Sequence, residues 1–218
     1  MTVLIALLAA TTRSSHIIVL GVRDHVRVSS ILTPEFIKKK LPTEKFDPRG
    51  FLSMLNSLTM DDFKAVAESC NRMGEQVKAA GRKFAYHNHN FEFKPLESNR
   101  GYDILLKETS SELVAFELDC GWAGAACESV PELLRENPNR FRLLHVKNFK
   151  KSDKRTYLPS EPPVFTLLGE GAIDYKEVFF AAKTTAVEHL FVEHEPPYDA
   201  VPAMEVIKAG YEYLHELN

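Results

Sequence analysis

Short apolar runs alternate with longer amphipathic segments along most of the chain. The runs are rich in β-branched and aromatic residues, a composition that is typical of buried strands. They are HIIVLGV (16–22), KFAYH (83–87), LVAFELD (113–119), FRLLHVK (141–147) and HLFVEHE (189–195). Each of the last four follows a segment with helical spacing of its apolar residues. The alternation predicts an α/β protein with a parallel sheet and helical crossovers.

The clearest helix is predicted over residues 59–82. Its apolar residues recur at three- and four-residue spacing, which gives one buried stripe. The stripe consists of Phe63, Val66, Ala67, Cys70, Met73, Val77 and Ala80. Thr59 can cap this helix, and Asp61 and Asp62 lie in the first turn, where the helix dipole favours acidic residues. Gly81 can end it.

The remaining segments are less regular. Further helices are predicted over 102–109, 129–137, 174–185 and 200–217. Residues 33–51 contain several prolines and predict an extended loop with a short helix. The first fifteen residues, MTVLIALLAATTRSS, have the length of a signal-peptide core but no positively charged start. We therefore expect a helix there that leads into the strand at 16–22.

Composition narrows the class of protein. The chain has 218 residues, 44% of them hydrophobic, and a formal net charge of −3, so we expect one globular domain over 1–218. No nucleic-acid partner is expected, because phosphate binding needs a clustered basic surface. No membrane partner is expected either, since a spanning helix needs about 20 apolar residues.

Three cysteines, Cys70, Cys120 and Cys127, are too few for a disulfide framework and indicate a cytoplasmic protein. Cys70 and Cys127 are expected in the core.

The parallel sheet could be an open doubly wound sheet or a closed eight-stranded barrel. No G-x-G-x-x-G turn follows the strand at 16–22, so the open nucleotide-binding sheet lacks its best marker. A full barrel needs eight strands and about 250 residues, whereas about five strong strands are visible here. We expect a (β/α)8 TIM-barrel-like fold, incomplete at the N-terminus, with about six of the eight β/α units.

Four successive strands end in side chains that can bind a metal. The stretches are YHNHNFEF, FELDCGW, LLHVKN and FVEHE. In a parallel barrel all C-terminal strand ends open on one face, where active sites are found. Buried carboxylates there need a neutralising cation or partner. The sequence therefore predicts a shared site that is formed by His87, His89, Glu92, Asp119, His145 and Glu193.

Each of these residues also has an ordinary structural interpretation. A histidine at a strand end is often a hydrogen-bonded residue, Asp119 could cap the next helix, and Glu193 could pair with a lysine. Four strands that all end in this way favour a common site. Carboxylates with one histidine suit a divalent metal, namely Mn²⁺, Mg²⁺, Co²⁺ or Zn²⁺. Strand alternation turns Cys120 away from the face of Asp119, so it is not counted as a ligand.

Carboxylates beside a metal suggest proton abstraction next to a carbonyl or hydroxyl group that the metal polarises, through an enediolate. Lys147, two residues past His145 on the same strand face, could hold a substrate oxygen, or it could be a surface lysine. Glu170 lies between Gly169 and Gly171. Such a loop either lets a ligand approach the backbone closely or simply makes a tight turn.

Five stretches together resemble the sugar phosphate isomerase/epimerase superfamily, the xylose-isomerase-like TIM barrels. They are YHNHNFEF, VAFELDCGWAGAA, LLHVKNF, GEGAIDYKEVF and FVEHEPP, within residues 59–217. The resemblance implies a divalent metal held by Glu, Asp, His and Glu from successive strands. It also implies metal-dependent isomerisation, epimerisation or related dehydration of a small-molecule sugar.

Carried onto this chain, the resemblance implies Asp119, His145 and Glu193 as metal ligands. The first ligand has two candidates. We prefer Glu92, and His87 is the alternative, because it lies where many relatives end the strand with a glutamate. The catalytic residues are then expected to be Glu92, Glu193, His87 and Lys147, and the substrate contacts to be His89, Trp122 and Glu170.

The N-terminal run MTVLIALLAA departs from the resemblance, because relatives carry two further strands ahead of these motifs. We expect a chain shortened at its N-terminus, for which a homo-oligomer is one way to close the barrel. The leading function is a metal-dependent sugar isomerase or epimerase, and the alternative is a keto-sugar or inosose dehydratase. An inactive barrel or partner subunit is a third hypothesis. Related DNA-repair endonucleases are disfavoured by the net charge of −3 and by Trp122 after Asp119.

Overall fold

Strands and helices alternate through the part of the chain that the computed structural model describes. That part comprises residues 2–5, 26–29, 40, 48–152, 154–158, 160–161, 163–193 and 202–217. In chain order its elements are β1 (Thr2–Ile5), β2 (Val26–Ser29), α1 (Pro48–Asn56), α2 (Met60–Ala79), β3 (Lys83–His87), a 3₁₀ turn (Phe91–Phe93), α3 (Gly101–Glu108), β4 (Val114–Asp119), α4 (Cys120–Ala125), α5 (Val130–Glu136), β5 (Phe141–Val146), β6 (Asn148–Phe149), β7 (Phe165–Thr166), α6 (Tyr175–Ala182), β8 (His189–Val192) and α7 (Ala203–Glu216).

The chain divides into two compact units. Unit 1 consists of Met1–Ala10, Leu118–Thr156 and Pro162–Asn218, and unit 2 consists of Thr11–Glu117 and Tyr157–Glu161. Strand β4 therefore begins in unit 2 and ends in unit 1. The expectation of a single domain over 1–218 stays a prediction.

Unit 2 contains parallel strands and the predicted long helix. Strand β2 pairs in parallel with β3, and β3 pairs in parallel with the first part of β4. Helix α2 has a capping box, in which the Thr59 hydroxyl accepts from the N–H of Asp62 while the Asp62 carboxylate accepts from the N–H of Thr59. Just beyond its end, Gly81 adopts a φ of +70°, the left-handed conformation that glycine tolerates.

The buried stripe of α2 is confirmed in its first half. Phe63, Val66, Ala67 and Cys70 are buried, as the spacing predicts. Further along, Met73 and Val77 are only half-buried, Ala80 is exposed, and Gly74 is buried instead. Gly74 is buried because the helix approaches the backbone of Leu113 so closely that a Cβ atom would overlap it.

Unit 1 contains a second set of parallel strands. Strand β8 pairs in parallel with β1 on one side and with β5 on the other. The short strands β6 and β7 form a separate antiparallel ribbon. Helices α4, α5 and α6 bury apolar residues such as Trp122, Leu134 and Phe179. The parallel strands and alternating helices confirm the predicted fold class.

Three expectations about the fold differ from the structure or lie outside it. The predicted N-terminal helix is wrong at residues 2–5, where the β-branched run TVLI forms β1 because β8 offers its backbone hydrogen-bonding partner. The strand predicted at 16–22 lies outside the described residues. The expectation that Cys127 lies in the core is also wrong, because it is exposed in a turn after α4, with a φ of +58°.

Among the described helices, none has both the length and the apolar character needed to cross a lipid bilayer.

Candidate metal and active site

Three strand ends of unit 1 supply the side chains of a buried polar cluster. Asp119 is the last residue of β4, His145 is the penultimate residue of β5, and Glu193 directly follows β8. Because β5 and β8 are parallel and end opposite each other, Glu193 comes beside Lys147, the residue after β5. We call Asp119, His145, Lys147 and Glu193 the carboxylate–lysine cluster.

The two carboxylates of the cluster share two neighbours, Lys147 and His145. The Lys147 ammonium lies 2.9 Å from Asp119 Oδ2 and 2.6 Å from Glu193 Oε2. The His145 ring lies between the same two oxygens, with Nδ1 3.4 Å from Asp119 Oδ2 and Nε2 3.4 Å from Glu193 Oε2. Asp119 is fully buried, and the Lys147 side chain is 2% exposed. The cluster therefore gathers charge where water cannot screen it.

The charge state of Glu193 follows from these neighbours. Burial raises its pKa, but the nearby His145 and Lys147 more than offset this effect. The pKa of Glu193 consequently lies below the ordinary value for a glutamate. Glu193 is a carboxylate at neutral pH and can act as a ligand or as a base.

The two oxygens of Asp119 have different partners. Oδ1 accepts a hydrogen bond of 2.8 Å from the N–H of Trp122, so Asp119 is the N-cap of α4. Oδ2 contacts the cluster. The Trp122 ring lies 5.3 Å from the Lys147 ammonium, and the Phe165 ring lies 5.9 Å from it. Asp119 thus caps a helix and contributes to the cluster at the same time.

Tyr175 fixes the backbone of Lys147. Its hydroxyl donates to the Lys147 carbonyl oxygen at 2.7 Å and accepts from the Lys147 N–H at 3.0 Å. The ring is fully buried at the start of α6. Burial, with added repulsion from Asp119, raises the pKa values of both Tyr175 and Cys120, so both groups stay protonated. A neutral Tyr175 hydroxyl can serve as donor and acceptor together.

Asn148, the first residue of β6, connects this strand to the loop before α6. Its Oδ1 accepts from the N–H groups of Phe149 and Ile173, and its Nδ2 donates to the Ile173 carbonyl oxygen. Gly171 packs directly on the Asn148 carboxamide, where a Cβ atom would overlap it. The glycine-containing loop is therefore explained by close packing on Asn148.

Unit 2 contains a second group of buried polar residues. Glu92 is fully buried and accepts from the Tyr86 hydroxyl and from the His89 N–H, each at 2.9 Å. At the end of β3, His87 Nδ1 lies 3.2 Å from Glu117 Oε2, and both side chains are buried. Both Glu92 oxygens thus accept hydrogen bonds from the protein, whereas the His87 ring lies beside the Glu117 carboxylate.

The structure brings together most of the predicted residues of unit 1. Asp119 and Glu193 each contact both His145 and Lys147, and the Trp122 ring lies beside the Lys147 ammonium. The interpretation of Lys147 as a surface lysine is wrong, because its side chain is buried.

Glu170 is a different case. Its side chain is exposed, and its N–H donates to the Leu167 carbonyl oxygen. Its role in substrate binding, like the roles assigned to His87, His89 and Glu92, stays a prediction.

Several residues around these groups were not predicted from the sequence. Glu117 lies two positions before Asp119 in β4. Residues two apart in a strand point to the same face, so the sequence could have predicted Glu117 as a polar residue on the face of Asp119. Tyr175 is 28 residues from Lys147 along the chain, and no spacing pattern connects them. Phe165 and Asn148 carry no metal-binding or acid–base chemistry that would single them out.

The chain matches a family model described as "Xylose isomerase-like TIM barrel" over residues 42–217. The match covers well over half of the chain. The chain belongs to the xylose isomerase-like TIM barrel family.

Similar members of the family include curated bacterial enzymes. An inosose dehydratase of Clostridium perfringens is 30% identical over 73% of this chain and 56% of its own length. An inosose dehydratase of Geobacillus thermodenitrificans is 26% identical over 83% of this chain and 61% of its length. A solved sugar phosphate isomerase/epimerase from Parabacteroides distasonis is 25% identical, with a TM-score of 0.62 over 72% of this chain and 55% of its own. This chain thus spans less than two thirds of the length of these relatives.

The donor set of unit 1 fits a divalent cation. Two carboxylates and one imidazole converge from strand ends, and hard or borderline divalent ions take such ligands. Asp119, His145 and Glu193 are the residues of unit 1 that would hold the ion. Mn²⁺, Mg²⁺, Co²⁺ and Zn²⁺ stay the predicted candidates.

Proposed function

We propose that the protein is a divalent-metal-dependent dehydratase of a keto-sugar or inosose. The observation that carries this proposal is the buried carboxylate–lysine cluster, which combines a metal donor set with an ionised base and an ammonium group. The similarity to inosose dehydratases supports the reaction class. The substrate is therefore a small polyol with a carbonyl group and a hydroxyl group two carbons away.

Each residue of the cluster has a task in this reaction. A divalent ion held by Asp119, His145 and Glu193 would supply Lewis acidity toward the substrate carbonyl oxygen. Glu193, whose pKa is lowered, accepts the proton from the carbon next to the carbonyl group. The Lys147 ammonium donates a hydrogen bond to the oxygen that gains negative charge.

Loss of water completes the reaction. The electron pair of the broken C–H bond forms a C=C bond, and the C–O bond to the β-hydroxyl group breaks. Glu193 passes its proton to the departing hydroxyl, which leaves as water, so the protein returns to its starting state. Burial of the cluster keeps bulk water away from the carbanion-like transition state. The roles in proton transfer and substrate binding that the sequence suggests for His87, Glu92 and His89 stay predictions.

A sugar isomerase or epimerase is the second candidate. The Parabacteroides distasonis structures at 25% and 26% identity support it. The first step is the same proton abstraction, but the proton then returns to carbon and no C–O bond breaks. The two candidate reactions therefore differ only after proton abstraction: the dehydratase loses water, whereas the isomerase or epimerase returns a proton to carbon.

The test is to incubate the metal-loaded protein with an inosose, and separately with ketoses and their phosphates, in deuterated water. Nuclear magnetic resonance would follow both deuterium uptake and loss of water. A dehydratase gives an unsaturated product from the inosose, whereas an isomerase or epimerase gives deuterium-labelled sugar without elimination. Glu193→Gln should abolish either reaction. If the metal-loaded protein neither exchanges nor eliminates with any of these compounds, the enzymatic proposal fails and the inactive barrel is favoured.

A further inference from the structure

We propose that the Lys147 ammonium is a built-in cation that neutralises the carboxylate–lysine cluster when no divalent ion is bound and competes with that ion for the cluster. The inference rests on the proposed function only in taking Asp119, His145 and Glu193 as the metal ligands. It adds a second role for Lys147, which limits how tightly the ion binds.

The geometry that supports competition is the sharing of oxygen atoms. Lys147 Nζ contacts Asp119 Oδ2 at 2.9 Å and Glu193 Oε2 at 2.6 Å. These same two oxygens face the nitrogens of His145. Because Asp119 Oδ1 already accepts from the Trp122 N–H, a divalent ion bound to Asp119 would take Oδ2, the oxygen that the ammonium contacts. The ammonium and the ion would also repel each other across a few ångströms of poorly screened interior.

The ammonium of Lys147 offsets the negative charges of the two carboxylates. Asp119 and Glu193 bring two negative charges into a region that is almost closed to water. Unneutralised carboxylates in such a place are strongly destabilising. Lys147 therefore lets the strand ends of β4, β5 and β8 assemble before a metal arrives.

The packing around Lys147 prevents the ammonium from simply leaving. Its stem packs on Gly121 so tightly that a Cβ atom there would overlap Lys147 Cγ. The Trp122 and Phe165 rings flank the ammonium, and Tyr175 holds the backbone. An ion that takes the carboxylate oxygens would therefore leave the ammonium close to the site, where it can donate to a substrate oxygen.

The test is to compare metal binding by wild type and Lys147→Met. Isothermal titration with Mn²⁺ and with Zn²⁺ measures the Kd directly, without any substrate. Methionine keeps an unbranched apolar side chain that is one heavy atom shorter, and it removes the ammonium with its charge and its hydrogen-bond donors. We expect Lys147→Met to bind the ion about ten- to a hundredfold more tightly, the usual size of coupling between two sites. Its metal-free form should melt at a lower temperature than wild type, and its metal-bound form should recover most of that loss.

Lys150→Met is the matched control. Lys150 is exposed three residues further along, so its replacement changes the net charge equally but leaves the cluster intact. It should leave the Kd nearly unchanged. If Lys147→Met does not fold without metal, Lys147→Gln, which retains a polar group, is measured in its place. An unchanged or weaker affinity in the Lys147 variant would overturn the inference.

The outcomes also separate this inference from the proposed function. Tighter metal binding by Lys147→Met together with no turnover by metal-loaded wild type would support the inference and reject the activity. Turnover by wild type with equal metal affinity in both proteins would reject the inference and keep the activity. Absence of metal binding to wild type and variant alike would reject both.

Discussion

At the scale of single residues, Asp119 carries two separable roles. Its Oδ1 caps α4, while its Oδ2 contacts the carboxylate–lysine cluster. The carboxamide of asparagine can keep the cap but carries no negative charge. Asparagine and alanine variants at this one position therefore separate the structural role from the metal-binding role.

We predict that Asp119→Asn and Asp119→Ala both lose bound metal, but that only the alanine variant also loses the cap. The free energy of unfolding of Asp119→Ala should be about 1 kcal/mol below that of Asp119→Asn, the usual contribution of an N-cap. Metal analysis and urea denaturation of the metal-free proteins check the two parts. Wild-type metal content in Asp119→Asn would show that Asp119 is not a ligand.

Tyr175 gives a second prediction at this scale. Tyr175→Phe keeps the ring but leaves the N–H and carbonyl groups of Lys147 without their hydroxyl partner. We expect a loss of about 1–3 kcal/mol in unfolding free energy, the cost of buried unsatisfied backbone groups. We also expect weaker metal binding, because β5 and Lys147 are then less firmly positioned.

Tyr102→Phe is the control for Tyr175→Phe. Tyr102 is as completely buried but belongs to unit 2, where it packs on Phe93. Its replacement should leave the metal Kd unchanged whatever its effect on stability. Equal metal affinity in the two phenylalanine variants would mean that Tyr175 is structural only.

At the scale of elements, regular local patterns were predictable and tertiary contacts were not. Helix α2 follows from its apolar spacing and its Thr59 cap, and β3, β4, β5 and β8 follow from β-branched and aromatic runs. Strand β1 could not be predicted, since Thr2 and the three apolar residues after it fit a helix as well until β8 pairs with them. The ribbon of β6 and β7 rests on residues 148–149 and 165–166, which are too short to show a period.

The candidate site shows the same division. Asp119, His145 and Glu193 were predictable because parallel strands end on one face and because metal-binding residue types stand at those ends. The direct contact of Lys147 with both carboxylates depends on the register between β5 and β8, which the sequence does not state. The two hydrogen bonds between the Tyr175 hydroxyl and the Lys147 backbone depend on the packing of α6.

The capping box of α2 gives a prediction with a defined pH dependence. Burial raises the pKa of Asp62, but hydrogen bonds from Lys40 and Thr59 more than offset this, so its pKa lies below 3.8. A lowered folded-state pKa means that Asp62 stabilises the fold above pH 3.8 and that this contribution is lost as the pH falls through the folded-state value. Asp62→Asn should therefore be less stable than wild type at neutral pH and equally stable in strong acid.

Thr59→Ala tests the other half of the capping box. It should lower the free energy of unfolding by about 1 kcal/mol at neutral pH. Urea denaturation at several pH values measures both variants. A constant difference between wild type and Asp62→Asn across the whole acid range would contradict the role assigned to the Asp62 charge.

At the scale of the whole molecule, the metal should act as a ligand of the folded state. The cluster joins the ends of β4, β5 and β8, which are far apart in the sequence and are brought together only by folding. An ion that binds there and not to the unfolded chain stabilises the protein by mass action. The predicted homo-oligomer can be checked on the same material by light scattering.

We predict that the metal-loaded protein unfolds at a higher temperature than the chelator-treated protein. At a free ion concentration of about 100 times the Kd, the expected gain is about 2.7 kcal/mol in unfolding free energy. Hydrogen exchange should show added protection in residues 118–125, 141–149 and 189–193, which hold the ligands and their supports. Asp119→Asn should abolish both the thermal shift and the local protection. A thermal shift that persists in Asp119→Asn would mean that the ion binds elsewhere on the chain.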